Sequence, residues 1–283
     1  MQPQAAIEYA HARRDEHLAL LEELVRIPSV STLPDHREDV ARAAQWLADR
    51  LRGLGLETVE IVPTSGHPVV YAEGPAVPGA PTLLIYGHYD VQPADPFDEW
   101  TTPPFDPTVR GDDLYGRGAS DMKAQILAQL RAMDALVNTT GIPVNVKYLI
   151  EGEEEIGSPS LPAFLDAYGK RLRCDAVLNC DAGVQAPDLP SISYALRGLA
   201  YFELEVRTAR NDLHSGMFGG ALHNPAQALC ELIAGMHDAD GRVTLPGFYD
   251  RVRPLDDEER TLLKRLPHDD AEWLAYTGAP ALW

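Results

Sequence analysis

The chain has 283 residues, with 24 Lys plus Arg against 43 Asp plus Glu, so its formal net charge at pH 7 is −19. Nucleic acids are bound mainly through basic side chains that neutralise phosphates, so this excess of carboxylates argues against a nucleic-acid partner. Apolar residues make up 45% of the chain, as in globular proteins. No apolar run approaches the roughly 20 residues that span a bilayer, so we expect a globular protein without a membrane partner.

The N-terminal segment and the cysteines predict a cytoplasmic protein. The first thirty or so residues alternate charged with apolar side chains, whereas a signal peptide has an apolar centre. Cys174, Cys180 and Cys230 are few, odd in number and without CxxC spacing, which favours reduced thiols over disulfides and over cysteine-ligated zinc.

Apolar positions in the first half of the chain switch regularly between the helical and the strand period. The order of these elements predicts an α/β fold, with a mostly parallel central sheet and helices on both of its faces. A segment rich in Pro and Asp at 92–113 is predicted to be an ordered loop. The predicted helices are 18–27, 38–54, 122–136 and 161–168, and the predicted strands are 58–62, 69–73, 82–86, 144–150 and 176–179.

The pattern changes after residue 191, so a division into domains 1–192 and 193–283 is predicted. Residues 200–207 (AYFELEVR) alternate strictly, which is typical of a half-exposed antiparallel strand. Further helices are predicted at 225–236, at 258–266 and near Glu272, and no repeat or low-complexity tract interrupts them.

Three predicted strands run into ionisable side chains at their C-terminal ends. The first leads into His88 and Asp90, the second into the acidic run 151–155 and the third into Asp181, while Asp121 lies in a glycine-bracketed turn ahead of a helix. Open α/β sheets place their ligand crevices at the carboxyl ends of their strands. We therefore expect one imidazole and several carboxylates on one rim of the sheet.

Converging carboxylates repel one another unless some are protonated or a metal ion lies between them. A mixed set of His and Asp or Glu suits zinc, cobalt or manganese better than calcium or the thiolate-bound metals. One carboxylate can bridge two ions about 3.5–4 Å apart, and such pairs activate water for hydrolysis. Singly, each residue also has a structural explanation, such as a helix cap for Asp121. A carboxylate-rich binding module without metal stays open, but it leaves the strand-end pattern unexplained.

Five segments carry a resemblance to a known family: LLIYGHYDVQPAD, LYGRGASDMKA, EGEEEIGSPSL, NCDAG and NDLHSGMFGG. In this order they resemble the dizinc exopeptidase family that includes carnosinase, cytosolic dipeptidases, aminoacylase, acetylornithine deacetylase and succinyl-diaminopimelate desuccinylase. GHYDVQPAD, SYALRGLAYFELEV and DLHSG look most like the dipeptidase branch. The resemblance implies that 1–192 belongs to the metal-binding catalytic domain and that 193–283 begins an inserted α+β lid and dimerisation domain.

The resemblance also implies roles for the individual residues. Two divalent ions are expected, zinc first, with manganese or cobalt as alternatives, and Asp121 is expected to bridge them. Asp90 is expected to orient a histidine ligand, and Glu153 to be no ligand. The implied metal ligands are His88, Asp121, Glu155 and Asp181.

The implied activity is hydrolysis of dipeptides or short peptides by a metal-activated water, with Glu154 as the general base. His214 resembles the histidine that stabilises the oxyanion in a neighbouring subunit's site, which implies a homodimer. Two alternatives stay open: an N-acyl amino acid deacylase of the same family, and an inactive metal-binding or dimerisation remnant. The remnant is considered because the chain is expected to end inside the inserted domain, where PHDDAEW, with His268, does not resemble the family's closing histidine motif. The family's substrate-binding arginine is not identified either.

Overall fold

The computed structural model describes residues 4–184, 189, 191–267 and 269–282, so His268 lies outside the described residues. The chain forms two compact units, Met1–Gly183 and Val184–Trp283. Their division lies nine residues before the predicted boundary at 192/193, and the roles of the two domains stay predictions.

The first unit contains the predicted α/β elements. Its helices are α1 (Gln4–His11), α2 (Arg14–Val25), α3 (Arg37–Gly53), α4 (Ala124–Val137) and α5 (Leu161–Tyr168). Its strands are β1 (Thr58–Val62), β2 (Val69–Glu73), β3 (Thr82–His88), β4 (Thr108–Arg110), β5 (Asp113–Tyr115), β6 (Asn145–Glu151) and β7 (Ala176–Asn179).

The central sheet has the strand order β1-β2-β6-β3-β7. β2 runs antiparallel to β1 and to β6, while β3 runs parallel to β6 and to β7. Four of the five strands therefore share one direction, which confirms the prediction of a mostly parallel sheet. In the register of β3 with β6, His88 lies opposite Glu151. The carboxyl ends of β3, β6 and β7 consequently meet at one edge.

Helices cover both faces of this sheet, as predicted. Side chains of successive strand residues point to opposite faces, so neighbours such as Val69 and Val70 enter different cores. Val70 belongs to the core that contains residues of α2, α3 and α4, whereas Val69 belongs to the core that contains Phe164 of α5. The sheet is thus the middle layer of three.

Two features of the first unit differ from the predictions. The segment 92–113 is not a loop throughout, because β4 lies within it and pairs with β5 in a hairpin whose turn places Gly111 at φ 64. These strands have three residues each, too few to show a period. Helix α1 was also not predicted, since the first predicted helix is 18–27.

The second unit contains helices, but the predicted strand at 200–207 is wrong. Residues 200–207 are all described, and they form no strand. A strand needs a partner for its backbone groups, and no strand in the described part of the chain pairs with this segment. Tyr201 and Phe202 are each 88% exposed. The three predicted helical regions are confirmed. The helices are α6 (Ser215–Phe218), α7 (Pro225–Ala234), α8 (Asp257–Leu263) and α9 (Asp270–Thr277). Among the described residues, no helix is both long and apolar enough to cross a membrane.

Candidate metal centre

Four of the predicted site residues lie at the carboxyl edge of the sheet. His88 is the last residue of β3, and Asp181 follows β7 by two residues. The Asp181 N–H donates to Asn179 Oδ1 at 2.9 Å, which fixes the turn after the strand. Asp121 lies in the turn that precedes α4, and Asp90 follows β3. The parallel pairing of β3 with its two neighbours brings these side chains together.

His88, Asp121 and Asp181 form a compact group of metal-ligand atoms, all within 4.8 Å of one another. His88 Nε2 lies 3.2 Å from Asp121 Oδ1 and 3.5 Å from Asp181 Oδ2. The imidazole is fully buried, whereas the side chains of Asp121 and Asp181 are 63% and 26% exposed, so the carboxylates face solvent. One imidazole nitrogen with carboxylate oxygens is a donor set for zinc, manganese or cobalt, and these residues fit a divalent cation.

Asp90 lies on the other side of the His88 ring. His88 Nδ1 is 3.1 Å from the Asp90 carbonyl oxygen and 3.3 Å from Asp90 Oδ1. With the proton on Nδ1, the Nε2 lone pair faces the carboxylates, which is the orientation of a metal ligand. Burial lowers the pKa of His88, but the hydrogen bond and charge of Asp90, with the charges of Glu154 and Asp181, outweigh it and raise this pKa to about 9.

The carboxylate of Asp90 also holds the backbone of the acidic turn Glu154–Ile156. The Glu154 N–H donates to Asp90 Oδ1 at 3.2 Å, and the Glu155 N–H donates to Asp90 Oδ2 at 3.1 Å. Asp90 is fully buried, so these bonds are shielded from water. The same side chain therefore positions both His88 and the turn that carries the two glutamates.

Glu154 and Glu155 occupy different positions around the cluster. Glu154 Oε2 lies 4.0 Å from His88 Nε2. Glu155 Oε2 accepts a hydrogen bond from Gln92 Nε2 at 2.9 Å, and Glu155 lies outside the group of three among the described residues. Burial raises the pKa of Glu155, and the negative charge of Asp121 raises it further.

The carboxylates of this rim carry more negative charge than the protein neutralises. Burial, reinforced by the neighbouring carboxylates, raises the pKa of Glu154, of Glu155 and of Asp181, although His88 opposes the rise in each case. A divalent cation favours the ionised form of each group and relieves their repulsion. The electrostatics of the site thus agree with the donor geometry.

The sequence profile of Peptidase family M20/M25/M40 matches residues 84–246, which include every predicted site residue. Human Beta-Ala-His dipeptidase is 36% identical over 281 residues, covering 94% of this chain and 55% of that protein. The chain belongs to this peptidase family. Cys-Gly metallodipeptidase DUG1 of Candida albicans is 33% identical, covering 92% of this chain and 57% of that protein. The chain thus spans little more than half the length of these relatives.

Among solved structures, human carnosine dipeptidase 1 superposes on this M20 chain with a TM-score of 0.80 at 34% identity. The match covers 99% of this chain and 62% of that one. This likeness supports the α/β architecture of the chain and its similarity to the dipeptidases of the family.

His214 lies in the second unit of this M20 chain, immediately before α6. Its Nδ1 accepts a hydrogen bond from the Gly216 N–H at 3.1 Å. In the neutral imidazole this acceptor role leaves the proton on Nε2, which is then a hydrogen-bond donor. The side chain is exposed, and its predicted catalytic role remains a proposal.

Three further residues support this candidate site, and the sequence had predicted no individual role for any of them. Gln92 holds Glu155, and Glu151 accepts hydrogen bonds from Tyr86 Oη at 2.6 Å and from Ser158 Oγ. Lys123 is fully buried, and its Nζ donates to the carbonyl oxygens of Leu24 and Ile27, which ties the turn of Asp121 to the end of α2. Gln92 in HYDVQ and Lys123 in SDMK stand beside predicted ligands, which is the signal that could have found them.

Proposed function

We propose that this chain carries the catalytic centre of a metal-dependent peptidase that hydrolyses dipeptides or short peptides. The observation that carries the proposal is the group formed by His88, Asp121 and Asp181 at the sheet edge. The relatives named for dipeptide hydrolysis support the substrate class. Their names favour a dipeptidase over an N-acyl amino acid deacylase.

His88 and Asp181 would hold one divalent ion, Glu155 would hold a second, and Asp121 would contribute an oxygen to each. We infer zinc from the donor set, with manganese or cobalt as alternatives. When bound, such ions polarise the scissile carbonyl and acidify the attacking water. Gln92 and Asp90 hold the backbone and side chain of Glu155 in place for this task.

Glu154 is the proposed general base. Its carboxylate takes a proton from the attacking water and returns it to the leaving amine, and Asp90 fixes its backbone for this transfer. Burial raises the pKa of Glu154, which strengthens it as a base relative to an exposed glutamate.

His214 is proposed to donate its Nε2–H to the oxyanion that develops on the substrate of a partner subunit, in a homodimer formed through the second unit. The exposed Tyr201 and Phe202 support an interface there. Sedimentation velocity checks this assembly, and a single monomeric species over the working concentration range contradicts it.

We propose a cytoplasmic location, since Cys174, Cys180 and Cys230 are free thiols. Fractionation of cells that produce the protein is the test. Recovery in an oxidising compartment would contradict this location.

Hydrolysis assays test the proposed activity directly. The chain is loaded with zinc, manganese or cobalt and offered β-alanyl-histidine, cysteinylglycine and an N-acetyl amino acid. We expect cleavage of a dipeptide, with a kcat at least about 100-fold lower in Glu154→Gln, because general-base catalysis contributes about 10²–10⁴-fold. Glu57→Gln, at an exposed position, is the matched control. Cleavage of the N-acetyl compound alone indicates the deacylase, and no cleavage by the metal-loaded chain indicates the inactive remnant.

A further inference from the structure

Glu153 is a buried carboxylate that the proposed reaction does not use. The residue is 3% exposed. Oε1 accepts a hydrogen bond from the His67 N–H at 2.8 Å, and Oε2 accepts one from the Ser160 N–H at 3.0 Å. Each oxygen of this carboxylate therefore binds a backbone donor.

The two donors belong to segments far apart in the sequence. His67 lies in the connection between β1 and β2, and Ser160 directly precedes α5. Glu153 directly precedes the acidic turn Glu154–Ile156, and its carbonyl oxygen accepts hydrogen bonds from the N–H groups of Ile156 and Ser158. Glu153 thus links the β1–β2 connection, the start of α5 and the acidic turn.

Gly66 leaves the space that this carboxylate occupies. A Cβ atom at position 66 would lie 1.7 Å from Glu153 Oε1 and 2.9 Å from Glu153 Cδ. The backbone of Gly66 lies outside the left-handed region, so the need for glycine comes from this close approach and not from backbone strain. A side chain introduced at position 66 would therefore displace the carboxylate of Glu153 without replacing that residue.

We infer that Glu153, with the space left by Gly66, is a positioning residue for the metal centre. It fixes the acidic turn so that the amides of Glu154 and Glu155 reach the carboxylate of Asp90, which in turn faces His88 Nδ1. The inference rests on the proposed metal centre and adds to it a residue that contacts neither metal nor substrate.

Two independent substitutions test this role. Glu153→Gln keeps the shape of the side chain but replaces an acceptor oxygen by an NH₂ group, which cannot accept the backbone hydrogen bond. Gly66→Ala displaces the same carboxylate from the other side. Each variant is expected to bind Co²⁺ roughly 10- to 100-fold more weakly than the unmodified chain, the range for outer residues that orient metal ligands.

Co²⁺ binding is followed by titration of its visible absorption, and the thermal melting of the metal-free proteins is recorded alongside. Glu57→Gln and Gly53→Ala are the matched controls, because Glu57 is exposed and a Cβ at Gly53 meets no atom within 4 Å. If both substitutions act through one carboxylate, their effects are not additive. The double variant then binds Co²⁺ no more weakly than the single variant that has the lower Co²⁺ affinity.

The outcomes separate this inference from the proposed function. Absence of Co²⁺ binding by the unmodified chain contradicts the metal centre itself. Tight binding by the unmodified chain with unchanged affinity in both variants overturns the role of Glu153, and so does a lowered melting temperature without a loss of affinity. Additive losses in the double variant overturn the shared carboxylate. If Glu153→Gln does not fold, the affinity of Gly66→Ala decides alone.

Discussion

The imidazole of His88 is constrained at both of its nitrogens. Asp90 faces Nδ1, while Asp121 and Asp181 face Nε2. Burial lowers the pKa of this ring, but Asp90, Glu154 and Asp181 raise it to about 9 in the metal-free protein, so a metal ion has to displace a proton when it binds. His88 is therefore the residue through which the charge of the site can be measured directly.

Asp90→Asn is predicted to lower the pKa of His88 in the metal-free chain. Burial lowers this pKa, and the hydrogen bond and charge of Asp90 are the largest opposing causes, which bring it to about 9. Without that charge the value should fall toward or below the ordinary 6.5. NMR titration of the imidazole in the presence of a chelator measures the shift. A value that stays near 9 in the variant would show that Asp90 is not its main cause.

The proximity of His88, Asp121 and Asp181 could be predicted from the sequence, but the contacts that support their positions could not. His88, Asp121 and Asp181 follow from strand ends and the glycine-bracketed turn, because parallel strands end at one edge. The contacts of Glu153 with His67 and Ser160 depend on how the β1–β2 connection and the start of α5 fold back on the acidic turn. No local period or spacing carries that information.

At the scale of elements, one arginine joins α5 to two strands. Arg171 donates to both carboxylate oxygens of Glu60 on β1, at 3.1 and 3.0 Å. Its guanidinium also lies 4.5 Å from the ring centroid of Tyr71 on β2 and 5.3 Å from that of Tyr168 on α5. This group helps to hold α5 on its face of the sheet.

Arg171→Lys is predicted to destabilise the first unit by about 0.5–1 kcal/mol, because lysine cannot make the paired hydrogen bonds and the pair is partly screened by solvent. Arg171 lowers the pKa of Glu60 from its ordinary 4.5, so the contribution of the pair is present above 4.5 and is lost as pH falls through the lowered value. Urea unfolding should therefore show a difference that shrinks below that pH. Arg173→Lys is the exposed control, and a difference independent of pH would refute the ion-pair explanation.

The elements were predicted best where a pattern is long and its partner lies in the chain. The bounds of β1, β2, β7 and α5 agree with the prediction because each is a distinct apolar segment with clear ends. The hairpin of β4 and β5 was missed, since three-residue strands show no period. The alternation at 200–207 is real, but alternation forms a strand only where another strand pairs with it.

At the scale of the whole molecule, the two units differ in how far their apolar side chains are buried. Within the described part of the chain, the apolar side chains that are fully buried belong to the first unit, and Tyr201 and Phe202 of the second are exposed. The chain covers 55% of human Beta-Ala-His dipeptidase. The divalent-metal centre is therefore proposed for the first unit.

Metal content after equilibrium dialysis against Zn²⁺, determined by elemental analysis, tests that claim most directly. We predict two zinc ions per chain and a loss of both tightly held ions in Asp121→Asn, because Asp121 is proposed to contribute to each. Asp112→Asn, at an exposed position, controls for non-specific binding to a chain of net charge −19 and should leave the content unchanged. No bound zinc in the unmodified chain, or equal zinc in Asp121→Asn, would contradict the account.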